Sequence, residues 1–212
     1  MKLLYFTVLT VLALNSTSLA GYIRTSHLAP AAPVVDVYLN DQKMFSNVAF
    51  KSVTEYLPIP NGRYDVAVYR VGEKTDPIVD ARGVMLEDAT YTILAAGFGA
   101  GKATSTVVFE DWIEPIATRA RLRVINASPD TPNLELALPG GLHILPEVIF
   151  KTASKYYTLP ANTYDLAVRV TSRNELILRD VKLEKGKVYT AFIVGRRADG
   201  TLNYLLTEDR TP

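Results

Sequence analysis

The residues of this chain best suited to acid–base or metal chemistry are its two histidines, His27 and His143, and neither has a chemical partner at a telling spacing. A histidine-based triad or zinc site needs further groups held at ligand or hydrogen-bond distance, and the lack of any cysteine removes thiolate ligands and nucleophiles. His27, near a strand end, reads as a turn or packing residue. Asp36, Asp65, Asp80, Asp165 and Asp180 recur among apolar residues. General acid and base work needs two carboxyls held together over a cleft, whereas period-two placement turns each of these toward solvent. Calcium would want a dense run of acids in one loop. The run Gly97-Phe98-Gly99-Ala100-Gly101-Lys102 invites a phosphate-loop reading and fails it. The motif wants glycine where Ala96 stands, Ser or Thr where Ala103 stands, and a helix where Thr104 to Phe109 alternates like a strand. It reads as a hairpin loop, answered later by Gly195-Arg196-Arg197-Ala198-Asp199-Gly200. The sequence therefore offers no catalytic, cofactor or metal site, and the expectation is a protein that is not an enzyme.

The positions that do stand out have structural chemistry. Leu57-Pro58-Ile59-Pro60-Asn61-Gly62-Arg63-Tyr64 and Leu159-Pro160-Ala161-Asn162-Thr163-Tyr164 each place a turn before a strand that opens with tyrosine. Gly62 and Asn162 are residue types that tolerate a left-handed backbone. Tyr64 and Tyr164 can lay their rings on the core edge and return their hydroxyls to the loop, as a tyrosine corner does. Ser128 and Asp130, flanked by Pro129 and Pro132, suit a turn whose side chains satisfy backbone amides. Arg119, Arg121 and Arg123 alternate with apolar residues, which predicts three arginines on a solvent face and Leu122 and Val124 inward.

The elements that position these residues come from a duplication. Val48-Ala49-Phe50-Lys51 returns as Val148-Ile149-Phe150-Lys151, and Tyr56, Pro60, Tyr64, Asp65, Ala67 and Val68 each return one hundred positions on. Leu86-Glu87 with Tyr91-Thr92 matches Leu183-Glu184 with Tyr189-Thr190, and Glu110-Asp111 matches Glu208-Asp209. Many matches in one order make the chain a tandem repeat. The division is 1–20 leader, 21–111 first copy, 112–119 connector and 120–212 second copy. Runs such as Tyr64 to Tyr69 and Tyr164 to Arg169 alternate at period two, the mark of half-buried strands. Short strands separated by turn signals predict two immunoglobulin-like or transthyretin-like antiparallel β-sandwiches. Trp112, the single tryptophan, lies in the connector and is expected to pack at the junction of the modules.

Lys2, an apolar stretch from Leu3 to Leu14, and Ser18 and Ala20 at small-residue positions compose a secretory signal peptide, with cleavage expected after Ala20. The apolar stretch is short of the roughly 20 residues that span a bilayer as a helix. Without cysteine no lipid can be attached at a leader thiol, so the expectation is an exported protein, periplasmic or secreted, with no integral membrane segment. Removing the leader takes away one lysine and no acid, which leaves 22 bases and 22 acids. That balance argues against a general affinity for nucleic acid or anionic lipid.

Asn126-Ala127-Ser128-Pro129-Asp130-Thr131-Pro132, Val148 to Phe150, and Tyr164-Asp165-Leu166-Ala167-Val168 resemble an uncharacterised tandem-repeat family of exported bacterial β-sandwich domains, a domain of unknown function. The first copy shows the same frame in His27 to Pro33 and Val35-Asp36-Val37-Tyr38, with Ala31 where the loop aspartate is usual. The resemblance implies fold and an extracytoplasmic address, and no activity. Together the readings favour a non-catalytic extracytoplasmic binding or structural module, engaging an envelope protein or polysaccharide through loops. An accessory subunit of exopolysaccharide modification or export, loosely similar in plan to those of alginate acetylation, is the alternative; a hydrolase with an unrecognised site is the third.

Overall fold

The computed structural model describes residues 19–30, 32–97, 104–139 and 142–212. Among them the regular structure is entirely β, in four sheets that form two sandwiches. The first sandwich contains β1 (Leu19–His27), β2 (Val35–Leu39), β3 (Gln42–Val48), β4 (Ser52–Val53), β5 (Leu57–Pro60), β6 (Gly62–Arg70), β7 (Val79–Leu86), β8 (Thr90–Ala96) and β9 (Ser105–Glu110). One sheet runs β4-β1-β8-β9, with β5 also on β1, and the other β3-β2-β6-β7. The second sandwich repeats the plan with β10 (Ala120–Asn126), β11 (Asn133–Ala137), β12 (His143–Ile149), β13 (Tyr157–Leu159), β14 (Asn162–Val170), β15 (Arg173–Leu183), β16 (Val188–Val194) and β17 (Asn203–Glu208). Its sheets run β13-β10-β16-β17 and β12-β11-β14-β15.

The strands are not all antiparallel. β1 pairs parallel with β8, Arg24 beside Thr92, and β10 pairs parallel with β16, Arg123 beside Thr190. A parallel pair cannot be closed by a hairpin and needs a crossover; here the intervening chain builds the whole opposite sheet and, on the way, the short strands β4 and β5, or β13, that edge β1 and β10. Alternation along each strand then fills the cores. Ile23, Val37, Phe45, Val66, Val68 and Ile93 are among the buried residues of the first, and Leu122, Val124, Leu136, Leu166, Val168 and Ile193 of the second.

Several recurring residues of the repeat have a structural reason. Lys51 and Lys151 both take a left-handed backbone at φ 62° in the turn after β3 and β12. Asp65 Oδ1 accepts the Gly83 N–H at 2.8 Å, and Asp165 Oδ1 accepts the Asp180 N–H at 3.1 Å. Gly83 and Asp180 have positive φ, and the β6–β7 and β14–β15 registers slip beside Tyr64 and Tyr164. The repeated aspartate thus caps the amide of an irregular residue on the neighbouring strand. Gly21 is held by a close approach: a Cβ there would lie 2.5 Å from the Ala89 carbonyl oxygen.

The two sandwiches meet through a third apolar cluster. Leu28, Leu94 and Ala96 of the first pack with Ile125, Ala127, Phe192 and Val194 of the second, all buried. In β8 and β16, alternate residues therefore face the parent core and the partner module, and β16 is buried along its whole length.

Candidate functional site

Beside that apolar cluster lies a densely charged interior. Arg24, Thr92, Asp111, Arg123, Thr190 and Asp209 are all buried, and their side chains close a circuit between the modules. Arg24 Nε donates to Thr92 Oγ1 at 2.8 Å, and that hydroxyl donates to Asp111 Oδ2 at 2.5 Å. Arg123 Nη2 donates to the other oxygen of Asp111. Its Nε donates to Thr190 Oγ1 at 2.8 Å, Thr190 donates to Asp209 Oδ2 at 2.5 Å, and Arg24 Nη2 returns to Asp209 Oδ1 at 2.6 Å. Each arginine thus uses its own module's threonine and crosses to the other module's aspartate. Two guanidiniums and two carboxylates make the circuit neutral.

Tyrosines complete it. Tyr56 donates to Asp111 Oδ2 at 2.6 Å and Tyr156 to Asp209 Oδ2 at 2.8 Å. Arg24 lies over the Tyr56 ring at 4.5 Å and Arg123 over Tyr156 at 4.7 Å. Burial pushes both phenols upward, and the neighbouring carboxylates push them further, so they remain neutral donors. Burial is the largest single influence on Arg24 and Arg123 and weakens their charged form, but both carboxylates and the stacked tyrosine act together on each guanidinium, and both pKa values rise. Every member is committed to another member. Such an arrangement fixes how two surfaces meet: an ion pair out of water gains little net stability, yet losing one partner strands a buried charge.

The circuit also positions the next residue along the chain. Trp112 comes directly after Asp111 and is 65% exposed, with its Nε1–H donating to Glu110 Oε1 at 2.9 Å. It flanks a groove of about 460 Å³ that also includes Glu110, Arg121, Ser154, Lys155 and Tyr156. Arg121 Nη1 donates to the Trp112 and Glu114 carbonyls at 3.1 and 2.7 Å, and its guanidinium lies 5.0 Å from the Tyr156 ring centroid. The related position on the other side of the interface is a smaller groove of about 260 Å³ with Glu55, Tyr56, Glu208 and Arg210. There Arg210, not an aromatic residue, comes after the buried aspartate.

The structure corrects the expectations for Arg123, Trp112 and Asp36. Arg123 is buried, not solvent-facing, because the face of β10 opposite the parent core is covered by the other module; Arg121, nearer the rim, is half-buried. Trp112 does not pack in the junction, which is filled instead by Phe192, Leu94 and Ile125. Asp36 is buried and accepts from Lys43 Nζ at 2.7 Å and the Asn47 N–H at 3.0 Å.

The other singled-out residues lie apart from the circuit. Tyr64 and Tyr164 each donate to the carbonyl four residues back, Pro60 and Pro160, at 2.8 Å. Gly62 and Asn162 begin β6 and β14, and neither is among the residues with left-handed backbone, since ladder pairing to Leu86 and Leu183 keeps both extended. Ser128 donates to Asp130 at 3.3 Å, and Asp130 accepts the Arg197 and Ala198 N–H groups at 2.9 and 2.8 Å. It therefore caps the β16–β17 loop as well as its own turn. Pro132 offers its carbonyl to the Phe150 N–H at 2.9 Å. His27 is buried, bonded at Nε2 to the Pro33 carbonyl at 2.9 Å and edge-on to Phe50. His143 lies 3.2 Å from Glu135 on the outer sheet of the second module. Ala31 and residues 98–103 of the glycine-rich loop lie outside the described residues; β8 and β9, which that loop joins, pair as a hairpin.

The family model described as "Domain of unknown function (DUF4397)" matches residues 21–137 and 139–212. Among solved structures, the C-terminal domain of AlgF from P. aeruginosa is similar at 22% identity with a TM-score of 0.37, over 43% of this chain and 99% of that one. A search of curated proteins finds no match.

Proposed function

The chain belongs to the DUF4397 family, and we propose that it is a non-catalytic binding module that works outside the cytoplasm, presenting one composite surface built by both of its sandwiches. The single observation that carries this reading is the closed Arg24–Asp209 and Arg123–Asp111 exchange, which commits the buried charges to docking the modules. What that docking leaves facing solvent is the groove beside an exposed tryptophan. Groups committed to each other as neutral pairs are poor acids, bases or nucleophiles, whereas an exposed aromatic held in a groove suits recognition.

Export rests on the leader: Lys2, the apolar Leu3 to Leu14 and the Ser18-x-Ala20 ending. Among the described residues no helix is long and apolar enough to cross a membrane.

The test uses the exported chain. Its mass should place the N-terminus at Gly21, and it should be retained by cell-envelope fractions in a manner that Trp112→Ala reduces. Turnover of ester or glycoside reporters by the purified protein would overturn the non-catalytic reading. Recovery in a stoichiometric complex with an acyltransferase would make it instead an accessory subunit of exopolysaccharide modification.

A further inference from the structure

We infer that the groove beside Trp112 is a binding site for an acidic glycan, taking a pyranose ring against the indole and the ring's carboxylate at Arg121 and Lys155. The inference rests on the binding reading above and names its ligand class.

Three features of the groove carry it. The first is that an indole 65% exposed is nevertheless held in place. Its N–H is tied to Glu110, its carbonyl to Arg121, and its chain neighbour Asp111 is locked in the buried circuit. A pre-positioned flat apolar face loses little freedom on binding, and the C–H face of a sugar is a flat apolar surface of matching size. The second is charge. Among the described residues neither Arg121 nor Lys155 forms an ion pair, while Arg123 behind them is neutralised by Asp111. With Glu110 turned to the indole N–H, the groove keeps one more cation than acid. A guanidinium with donors left over recognises a carboxylate in a planar, directional way. The third is the polar remainder: Glu110 bonds the indole N–H through Oε1, which leaves its second carboxylate oxygen as an acceptor of the kind that sugar hydroxyls take up.

A peptide is less well served. The backbone along this side is already engaged, because the Ser154 N–H donates to the Val124 carbonyl and the Val124 N–H to Ser154 Oγ, both within 2.9 Å. An added strand would find no free ladder there. The groove on the opposite side of the interface, with Glu55 and Glu208 and no tryptophan, supplies an internal control.

Because Trp112 is the only tryptophan, its fluorescence reports the site directly. Titration of the full mature chain with oligogalacturonate should shift the emission to shorter wavelength in a saturable manner, and neutral dextran should not. Trp112→Ala, read by affinity electrophoresis in polygalacturonate, should lose at least tenfold in affinity. Arg121→Gln with Lys155→Gln should lose as much and flatten the salt dependence. Arg210→Ala in the opposite groove should bind like the parent. Equal binding of carboxyl-reduced polymer, or full affinity in Trp112→Ala, would overturn the proposal. If no acidic glycan binds but an envelope protein crosslinks through Lys155, the glycan assignment fails while the binding reading stands. If the groove variants change neither glycan nor envelope retention, the binding reading falls with it.

Discussion

Arg24 and Arg123 carry the most consequence per residue. Removing one leaves a carboxylate buried without its counter-ion, which costs about 3–5 kcal/mol in comparable sites. Arg24→Met should therefore destabilise the protein by roughly that amount in a denaturant titration. Replacing Arg24 by Met and Asp209 by Leu together should recover most of the loss, since no charge is then stranded. An outcome in which the double variant is no better than the single would mean that the pair itself, not the orphaned charge, supplies the stability.

His27 makes a pH-dependent contribution of the opposite kind. Burial pushes its pKa below the ordinary 6.5, outweighing the Pro33 carbonyl, so the folded state binds its proton less readily than the unfolded chain. Its contribution is complete above about pH 6.5 and declines as pH falls through the window between that value and the lower folded one. The second copy has Asn126 at this position, donating to the Thr131 and Val148 carbonyls at 2.8 and 3.1 Å. His27→Asn should accordingly flatten the fall in melting temperature between pH 7 and pH 5.

Among the elements, β16 is the most exacting. Val188 to Val194 is buried on both faces, one side against its own core and the other, through Phe192 and Val194, against the first module. Phe192→Ala empties a large volume at that seam and should cost about 3–5 kcal/mol by calorimetry. The tyrosines that open β6 and β14 are milder cases. Each makes one hydroxyl-to-carbonyl bond, so Tyr64→Phe and Tyr164→Phe should each cost about 0.5–1.5 kcal/mol. Near-equal values would reflect their shared 2.8 Å geometry. These corners were legible from the Pro-x-x-x-Tyr spacing, because a turn and the strand after it are local. The doubly buried strands had a signal too: Tyr-Thr-Ala-Phe-Ile-Val in β16 runs apolar where a half-solvated strand would alternate. Neither Trp112 nor the arginines had one, since a solvent face and a face covered by another module share the same period of two.

At the scale of the molecule the two sandwiches are joined by an interface in which each side gives an arginine and receives one. Reciprocity of this kind is what two-fold related surfaces produce, and the duplicated chain reproduces it within one polypeptide. A shared interface couples the unfolding of the modules, so calorimetry of the parent should show one transition with equal van't Hoff and calorimetric enthalpies. Arg24→Met with Arg123→Met should split it in two.

Duplication, the all-strand character, the tyrosine corners and the apolar cores come from local pattern, because alternation and turn chemistry act over a few residues; the parallel pairing of β1 with β8 and of β10 with β16 does not. Which strand face would be covered, and so whether Arg123 is buried and Trp112 exposed, depends on contacts between residues 12 to 185 positions apart along the chain. Pattern within a strand distinguishes its two sides without saying what lies against the second one. Docking of one module on the other supplies that, and with it the position of the groove.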